Sequence, residues 1–109
     1  MVDSLAPARV RPLLRGRFGR IYHYAELCAS TQRLLSPEDE EGAVAVAEEQ
    51  SEGRGRLGRS WEVPAGTSVL VSVALRPAVA AARLPELTLV AGGAVAEAIA
   101  EVTGLEPTI

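Results

Sequence analysis

A segment in the middle of the chain, residues 53–61, alternates glycine with arginine and ends in tryptophan: Gly-Arg-Gly-Arg-Leu-Gly-Arg-Ser-Trp. A helix interior or a buried strand is not built from such a sequence, because glycine weakens both and arginine is rarely buried. Glycine lets the backbone approach a ligand closely, and arginine supplies permanent positive charge with paired donors. The segment predicts a loop that closes over an anion, although a solvated surface loop has the same composition.

The overall composition narrows the class of protein. With 109 residues and 48% hydrophobic content, the chain has room for one folded domain or for a piece of a larger one. A net charge of −3 argues against a general polyanion-binding protein. All eleven basic residues are arginine, which excludes a Walker A lysine, a Schiff base and a lysine general base within this sequence.

Cysteine usage and the N-terminal residues predict a cytoplasmic protein. Cys28 is the only cysteine and His23 the only histidine, so we expect neither a disulfide framework nor a metal site. Residues 1–20 carry five arginines without a sustained apolar core, unlike a secretory signal, and no apolar stretch is long enough to span a membrane. We expect residues 1–19 to be a poorly ordered leader and residues 20–109 to form one domain.

Hydrophobic periodicity and turn residues predict alternating strands and helices. The Ser-Thr pair at residues 30 and 31 begins a short helical turn, where its hydroxyls either only cap the turn or share a helix N-terminus whose free N–H groups bind a polar ligand. The last apolar pattern is that of an amphipathic helix. The expected elements are strands at 21–27, 43–47 and 67–75, a helical turn at 30–35 and a helix at 84–103.

Two glycine-loop motifs fail on their context. Gly53, Gly55 and Gly58 satisfy G-x-G-x-x-G, but a dinucleotide-binding fold needs a helix directly after these glycines, and here Pro64 and a strand follow. A protein kinase loop needs a valine where this chain has Ser60, together with a strand lysine. An Arg-Gly module that binds RNA or a phosphorylated partner stays open as an alternative.

The fuller pattern resembles the catalytic domain of biotin protein ligases, which are related to lipoate ligases. Members carry Ser-Thr at the start of a short helix, a strand ending in Gln, the segment G-R-G-R-x-G-R-x-W, a Gly-containing turn into an apolar strand, and a long helix. The corresponding residues are Ser30, Thr31, Gln50, 53–61, Gly66, 67–75 and 84–103. The resemblance covers about residues 20–109. It implies an α+β fold, a mixed sheet packed by helices as in class II aminoacyl-tRNA synthetases, incomplete in this chain.

The same resemblance implies a ligase that activates biotin with ATP to biotinyl-5′-AMP, with Mg²⁺ accompanying ATP. A lysine of the biotin carboxyl carrier domain of a carboxylase then accepts the biotinyl group. The residues implied for biotin are Ser30, Thr31, Gln50, Gly53 and Arg54. Those implied for the nucleotide loop are Gly55, Arg56, Gly58, Arg59 and Trp61, with Arg54 and Arg56 as the catalytic pair.

Two departures from the family pattern shape the expectation. Family members place a Lys-Trp-Pro-Asn-Asp-type segment just beyond the point that Thr108 and Ile109 reach, and no helix-turn-helix precedes residue 20. We therefore expect the N-terminal part of a ligase domain without a DNA-binding repressor domain, and truncated in sequence. Activity of this chain alone and its oligomeric state stay open.

Overall fold

The computed structural model describes residues 4–53, 56–60 and 63–108. The chain forms two compact units, one up to Arg76 and one from Pro77. The first unit contains α1 (Pro7–Val10), β1 (Tyr22–Cys28), α2 (Thr31–Leu34), β2 (Val44–Gln50) and β3 (Leu70–Val73), and the second contains α3 (Glu86–Thr103). Single 3₁₀ turns lie at Arg11–Leu13, Arg56–Gly58 and Ala81–Arg83.

The first unit is built on a three-stranded mixed sheet in the order β1-β2-β3. Strands β1 and β2 are parallel, from the pair Tyr22 and Val44 to the pair Cys28 and Gln50. A parallel pair needs a crossover of about a dozen residues or more, and residues 29–43, which include α2, supply it. Strand β3 runs antiparallel to β2. A mixed sheet together with helices confirms the predicted α+β class.

The central strand β2 forms the core of the first unit. Ala45 and Ala47 have no exposed surface, and Val46 is only 4% exposed. A nearly continuous run of buried small and β-branched residues is typical of a strand that is covered on both faces. The strand continues to Gln50, beyond the expected end at residue 47, because its last residues still pair with β1.

The residues that precede β1 contact the sheet. The Leu5 backbone N–H donates to Glu48 Oε2 at 2.8 Å, and the Tyr22 hydroxyl donates to the Leu5 carbonyl at 2.6 Å. Gly19 N–H donates to the Gly42 carbonyl at 2.9 Å. Glycine is required at position 42, since its φ is +93° and a Cβ there would lie 3.3 Å from the Arg17 carbonyl. Division of the chain between residues 19 and 20 stays a prediction.

The acidic run after α2 is tied to basic neighbours. His23 Nε2 lies 3.1 Å from Asp39 Oδ2, and Arg17 Nη2 lies 3.1 Å from Glu41 Oε1. The backbone N–H of Ser36 and the His23 side chain lower the pKa of Asp39. These contacts hold the turn that leads into β2.

The second unit contains the longest helix. Helix α3 begins after Pro85, close to the expected start, and Gly104 ends it with a φ of 76° and an N–H that donates to the Ala100 carbonyl at 2.9 Å. Within the described ranges we find no helix that combines the length and the apolar character of a membrane span.

Candidate functional site

The ends of β1 and β2 bring together the polar residues that the sequence singled out. Cys28 pairs with Gln50, and the ladder continues as Ser51 N–H donates to the Cys28 carbonyl at 2.9 Å and Glu52 N–H donates to the Ala29 carbonyl at 2.8 Å. The carboxyl ends of parallel strands are the usual place for a ligand site in such sheets. The chain leaves β1 at this edge and enters α2, so Ser30 and Thr31 lie beside Gln50.

The first backbone N–H groups of α2 are already occupied. Ser30 is the N-cap, and its Oγ accepts from Gln32 N–H at 3.3 Å. Thr31 N–H donates to Gln50 Oε1 at 2.7 Å. These N–H groups are therefore not free to bind a ligand. The structure supports capping as the role of the Ser30 hydroxyl.

This contact to Thr31 fixes the orientation of the Gln50 amide. A backbone N–H can only donate, so the atom facing Thr31 is the amide oxygen, and the amide nitrogen lies on the opposite side of the group. Among the described residues, the Gln50 nitrogen has no hydrogen-bond acceptor. Two strong donors are therefore left for an acceptor that enters from outside the protein.

A second polar contact links α2 to the far strand of the sheet. Thr31 Oγ1 and Ser72 Oγ lie 2.7 Å apart, and Thr31 is only 4% exposed. Two hydroxyls that share one hydrogen bond keep one O–H donor and several acceptor sites for other partners. Sequence reasoning missed Ser72, whose only signal is a hydroxyl in the middle of an otherwise apolar, β-branched strand.

These polar groups line one cavity of about 410 Å³. Its size lies within the range of about 300–1,000 Å³ that is common for small-molecule sites. Three of the predicted biotin residues, Ser30, Thr31 and Gln50, are among its lining residues. The others are Gln32, Arg33, Glu52, Val69, Leu70, Val71 and Ser72.

The Gly-Arg segment begins next to this cavity and is described in part. Gly53 is buried, whereas Arg59 is exposed. Leu57 and Gly58 both adopt left-handed backbone conformations, with φ of 62° and 75°, within the turn at Arg56–Gly58. Such a conformation costs a side chain such as leucine about 1–2 kcal/mol, and Leu57 is also 92% exposed. Of the remaining predicted loop residues, Arg54, Gly55 and Trp61 lie outside the described residues, as does the side chain of Arg56.

Two further observations concern thiol and metal chemistry. Burial raises the pKa of the Cys28 thiol, which keeps it protonated near neutral pH. Across the described part of the chain, no group of three or more His, Cys, Asp or Glu residues is arranged to hold a metal ion.

Comparison with known proteins shows which protein family the chain is related to. Residues 24–108 match the model of the biotin/lipoate A/B protein ligase family. The chain is 38% identical over 93 residues to the bifunctional ligase/repressor BirA of Bacillus subtilis, covering 82% of this chain. It is 37% identical over 76 residues to the biotin--[acetyl-CoA-carboxylase] ligase of Mycobacterium tuberculosis, covering 69% of this chain. It is 32% identical over 91 residues to the human biotin--protein ligase, covering 76% of this chain.

The matched region spans 28% of the Bacillus protein, 29% of the mycobacterial protein and 12% of the human protein. In this chain the match covers most of β1, the cavity residues, the Gly-Arg segment and α3. From this match, the chain is a member of the biotin/lipoate A/B protein ligase family.

Proposed function

We propose that the chain carries the biotin-binding part of a biotin protein ligase. The observation that supports this most directly is the cavity at the ends of β1 and β2, where Ser30, Thr31 and Gln50 meet. The mycobacterial and human relatives are named as ligases for biotin, which gives the RNA-binding alternative no support. We place residues 20–109 in the N-terminal part of the catalytic domain and residues 1–19 ahead of it.

The polar groups of the cavity complement the ureido ring of biotin. That ring presents one carbonyl oxygen as an acceptor and two N–H groups as donors, and it loses free energy if it is buried without partners. The Gln50 nitrogen supplies the donor for the carbonyl. The hydroxyl pair of Thr31 and Ser72 supplies acceptors for the N–H groups and one remaining donor. Val69, Leu70 and Val71 supply apolar surface beside them.

The proposed reaction has two steps. In the first, a carboxylate oxygen of biotin attacks the α-phosphorus of ATP, the bond to the β-phosphate oxygen breaks, and pyrophosphate leaves. In the second, the neutral amine of a carrier lysine attacks the acyl carbon, AMP leaves with the electrons of the acyl–oxygen bond, and the nitrogen loses a proton to solvent. The product is an amide on the carrier domain of a carboxylase, a reaction that we place in the cytoplasm.

The arginines of the loop have the charge that the first step requires. Arg54 and Arg56 would stabilise negative charge on the carboxylate and the α-phosphate, and Arg59 would pair with other phosphate oxygens. Gly53, Gly55 and Gly58 would let the backbone approach the adenylate, while Trp61 would pack against it. ATP brings Mg²⁺ to such reactions, but the described residues offer no cluster of ligands for it, so we assign it to no residue of this chain.

The experiment that tests the proposal is calorimetric titration of the chain with biotin and, separately, with lipoate. We expect biotin to bind more tightly. Gln50→Glu keeps the acceptor for Thr31 N–H and removes both donors, so biotin binding should weaken at least about tenfold, the loss expected for an unpaired buried carbonyl. Gln32→Glu is the matched control, because it adds the same charge on the exposed rim of the same cavity.

Two results would contradict the proposal. One is tighter binding of lipoate than of biotin. The other is equal biotin affinity of the Gln50→Glu and Gln32→Glu variants, since the Gln50 donors would then have no part in recognition.

A further inference from the structure

One ion pair lies on the wall of the biotin cavity, and the chemistry described above does not use it. Arg33 Nη1 lies 2.6 Å from Glu52 Oε2, and the two are the only charged residues that line this cavity among the described residues. The contact uses one nitrogen of the guanidinium, and the structure gives the other two no partner within its described part. Arg33 therefore retains N–H groups that can donate hydrogen bonds to a ligand.

The backbone of Glu52 is part of the sheet. Glu52 N–H donates to the Ala29 carbonyl at 2.8 Å, which extends the ladder of β1 and β2. Glu52 also lies between Gln50, whose amide faces the cavity, and Gly53, which begins the Gly-Arg segment. Glu52 therefore brings a negative charge to the wall of the cavity, directly before the Gly-Arg segment in the sequence.

Such a charge opposes an anionic ligand unless a cation offsets it. Two negative groups a few ångströms apart repel each other even in water, and more strongly where the protein displaces solvent. The side chains of Arg33 and Glu52 are 64% and 47% exposed, so the effect is modest and depends on salt. Among the described lining residues only Arg33 can neutralise Glu52, because no other carries a positive charge.

We propose that Arg33 and Glu52 are a specificity-determining pair for the charge of the ligand. Arg33 neutralises Glu52 and offers its remaining donors to the ligand's carboxylate, so that the cavity accepts a small anion. Glu52 alone favours a neutral ligand. This inference rests on the proposed function, since it takes biotin as the anionic ligand.

The test compares biotin with biotinamide, in which a neutral carboxamide replaces the carboxylate. Both are titrated into the whole chain as wild type, Arg33→Ala, Glu52→Gln and the double variant. Arg33→Ala should weaken biotin about threefold to fivefold and leave biotinamide unchanged. Glu52→Gln should tighten biotin by a similar factor, and the double variant should return close to wild type.

Two controls separate a local effect from a change in net charge. Arg17→Ala removes the same charge from another exposed ion pair, with Glu41 at 3.1 Å, and Arg17 does not line this cavity. It should leave both ligands unchanged. Raising the salt to about 1 M, where the screening length is about 3 Å, should reduce the difference between the Arg33 and Glu52 variants.

Three results would overturn the inference. If Arg33→Ala and Glu52→Gln weaken both ligands equally, the pair is only a structural tie between α2 and the strand end. If neither variant changes binding, the pair has no role in recognition. If the wild type binds neither ligand, the proposed biotin function falls, and this inference falls with it.

Discussion

The hydrogen bond between Thr31 and Ser72 offers a sharp test of how the cavity is held together. The two oxygens lie 2.7 Å apart and join positions separated by 41 residues. We consider Thr31→Val, which replaces the hydroxyl by a methyl group of similar size, and Ser72→Ala, which removes the partner. The free energy of unfolding should fall in both variants, by different amounts.

The difference follows from the burial of the two residues. Thr31 is 4% exposed, so Ser72→Ala leaves its hydroxyl buried without this partner, at a cost of about 2 kcal/mol. Ser72 is only half-buried and can bond to water once Thr31 becomes valine, so Thr31→Val should cost about 1 kcal/mol. Removal of both groups leaves no unpaired hydroxyl. The double variant should therefore lose about 1 kcal/mol and not the sum of about 3 kcal/mol.

Urea unfolding followed by circular dichroism measures these values, and the comparison is valid where the slope against urea stays unchanged. Ser68→Ala is the control, because it removes an exposed hydroxyl just before β3 and should change stability by less than about 0.5 kcal/mol. If the two single losses add to the double loss within about 0.5 kcal/mol, the two hydroxyls do not interact, and the geometry argued for the cavity is wrong.

Two further predictions concern acid stability and the loop. The Tyr24 hydroxyl and the Leu5 N–H lower the pKa of Glu48, so its stabilising effect is complete above the ordinary glutamate pKa and is lost as the pH falls through the lowered value. Between about pH 6 and pH 3, the free energy of unfolding should thus depend less on pH in Glu48→Gln than in the wild type. An unchanged dependence would exclude these hydrogen bonds as a cause of the loss of stability in acid. In a full-length form of the ligase, Arg54→Ala should slow biotin-dependent ATP–pyrophosphate exchange more than Ser51→Ala does, because only arginine brings a positive charge to the phosphate. Equal rates would remove Arg54 from the proposed catalytic pair.

The local sequence pattern was sufficient to predict the strands and the helical turn of the first unit. The strand expected at 43–47 and the helical turn expected at 30–35 correspond to β2 and α2. Their signals are short-range: small and β-branched residues in a run, and a hydroxyl pair in front of an apolar turn. The expected strand at 67–75 shortens to Leu70–Val73, since only those residues find partners on β2.

Residues that become important through long-range pairing gave no comparable signal. Ser72 is one serine within an apolar strand, and only its distance from Thr31 shows that it lines the cavity. Arg33 and Glu52 were not singled out by the sequence, and only the structure shows that they lie 2.6 Å apart. Contacts between residues that are distant in the sequence leave no local signal, because neither partner differs from ordinary residues of its own segment.

The direction of β3 connects the register of the sheet with the chemistry of the cavity. Because β3 is antiparallel to β2, its first residues lie at the edge where β1 and β2 end, and Ser72 stands opposite Ala45. A slip of β3 by one residue would turn the Ser72 side chain to the other face of the sheet and bring a valine to its place. Thr31 would then face a hydrocarbon side chain, and the cavity would lose the Ser72 hydroxyl, one of the two acceptors that we propose for the ureido N–H groups. The register of β3 therefore decides whether the Ser72 hydroxyl reaches Thr31 and the cavity.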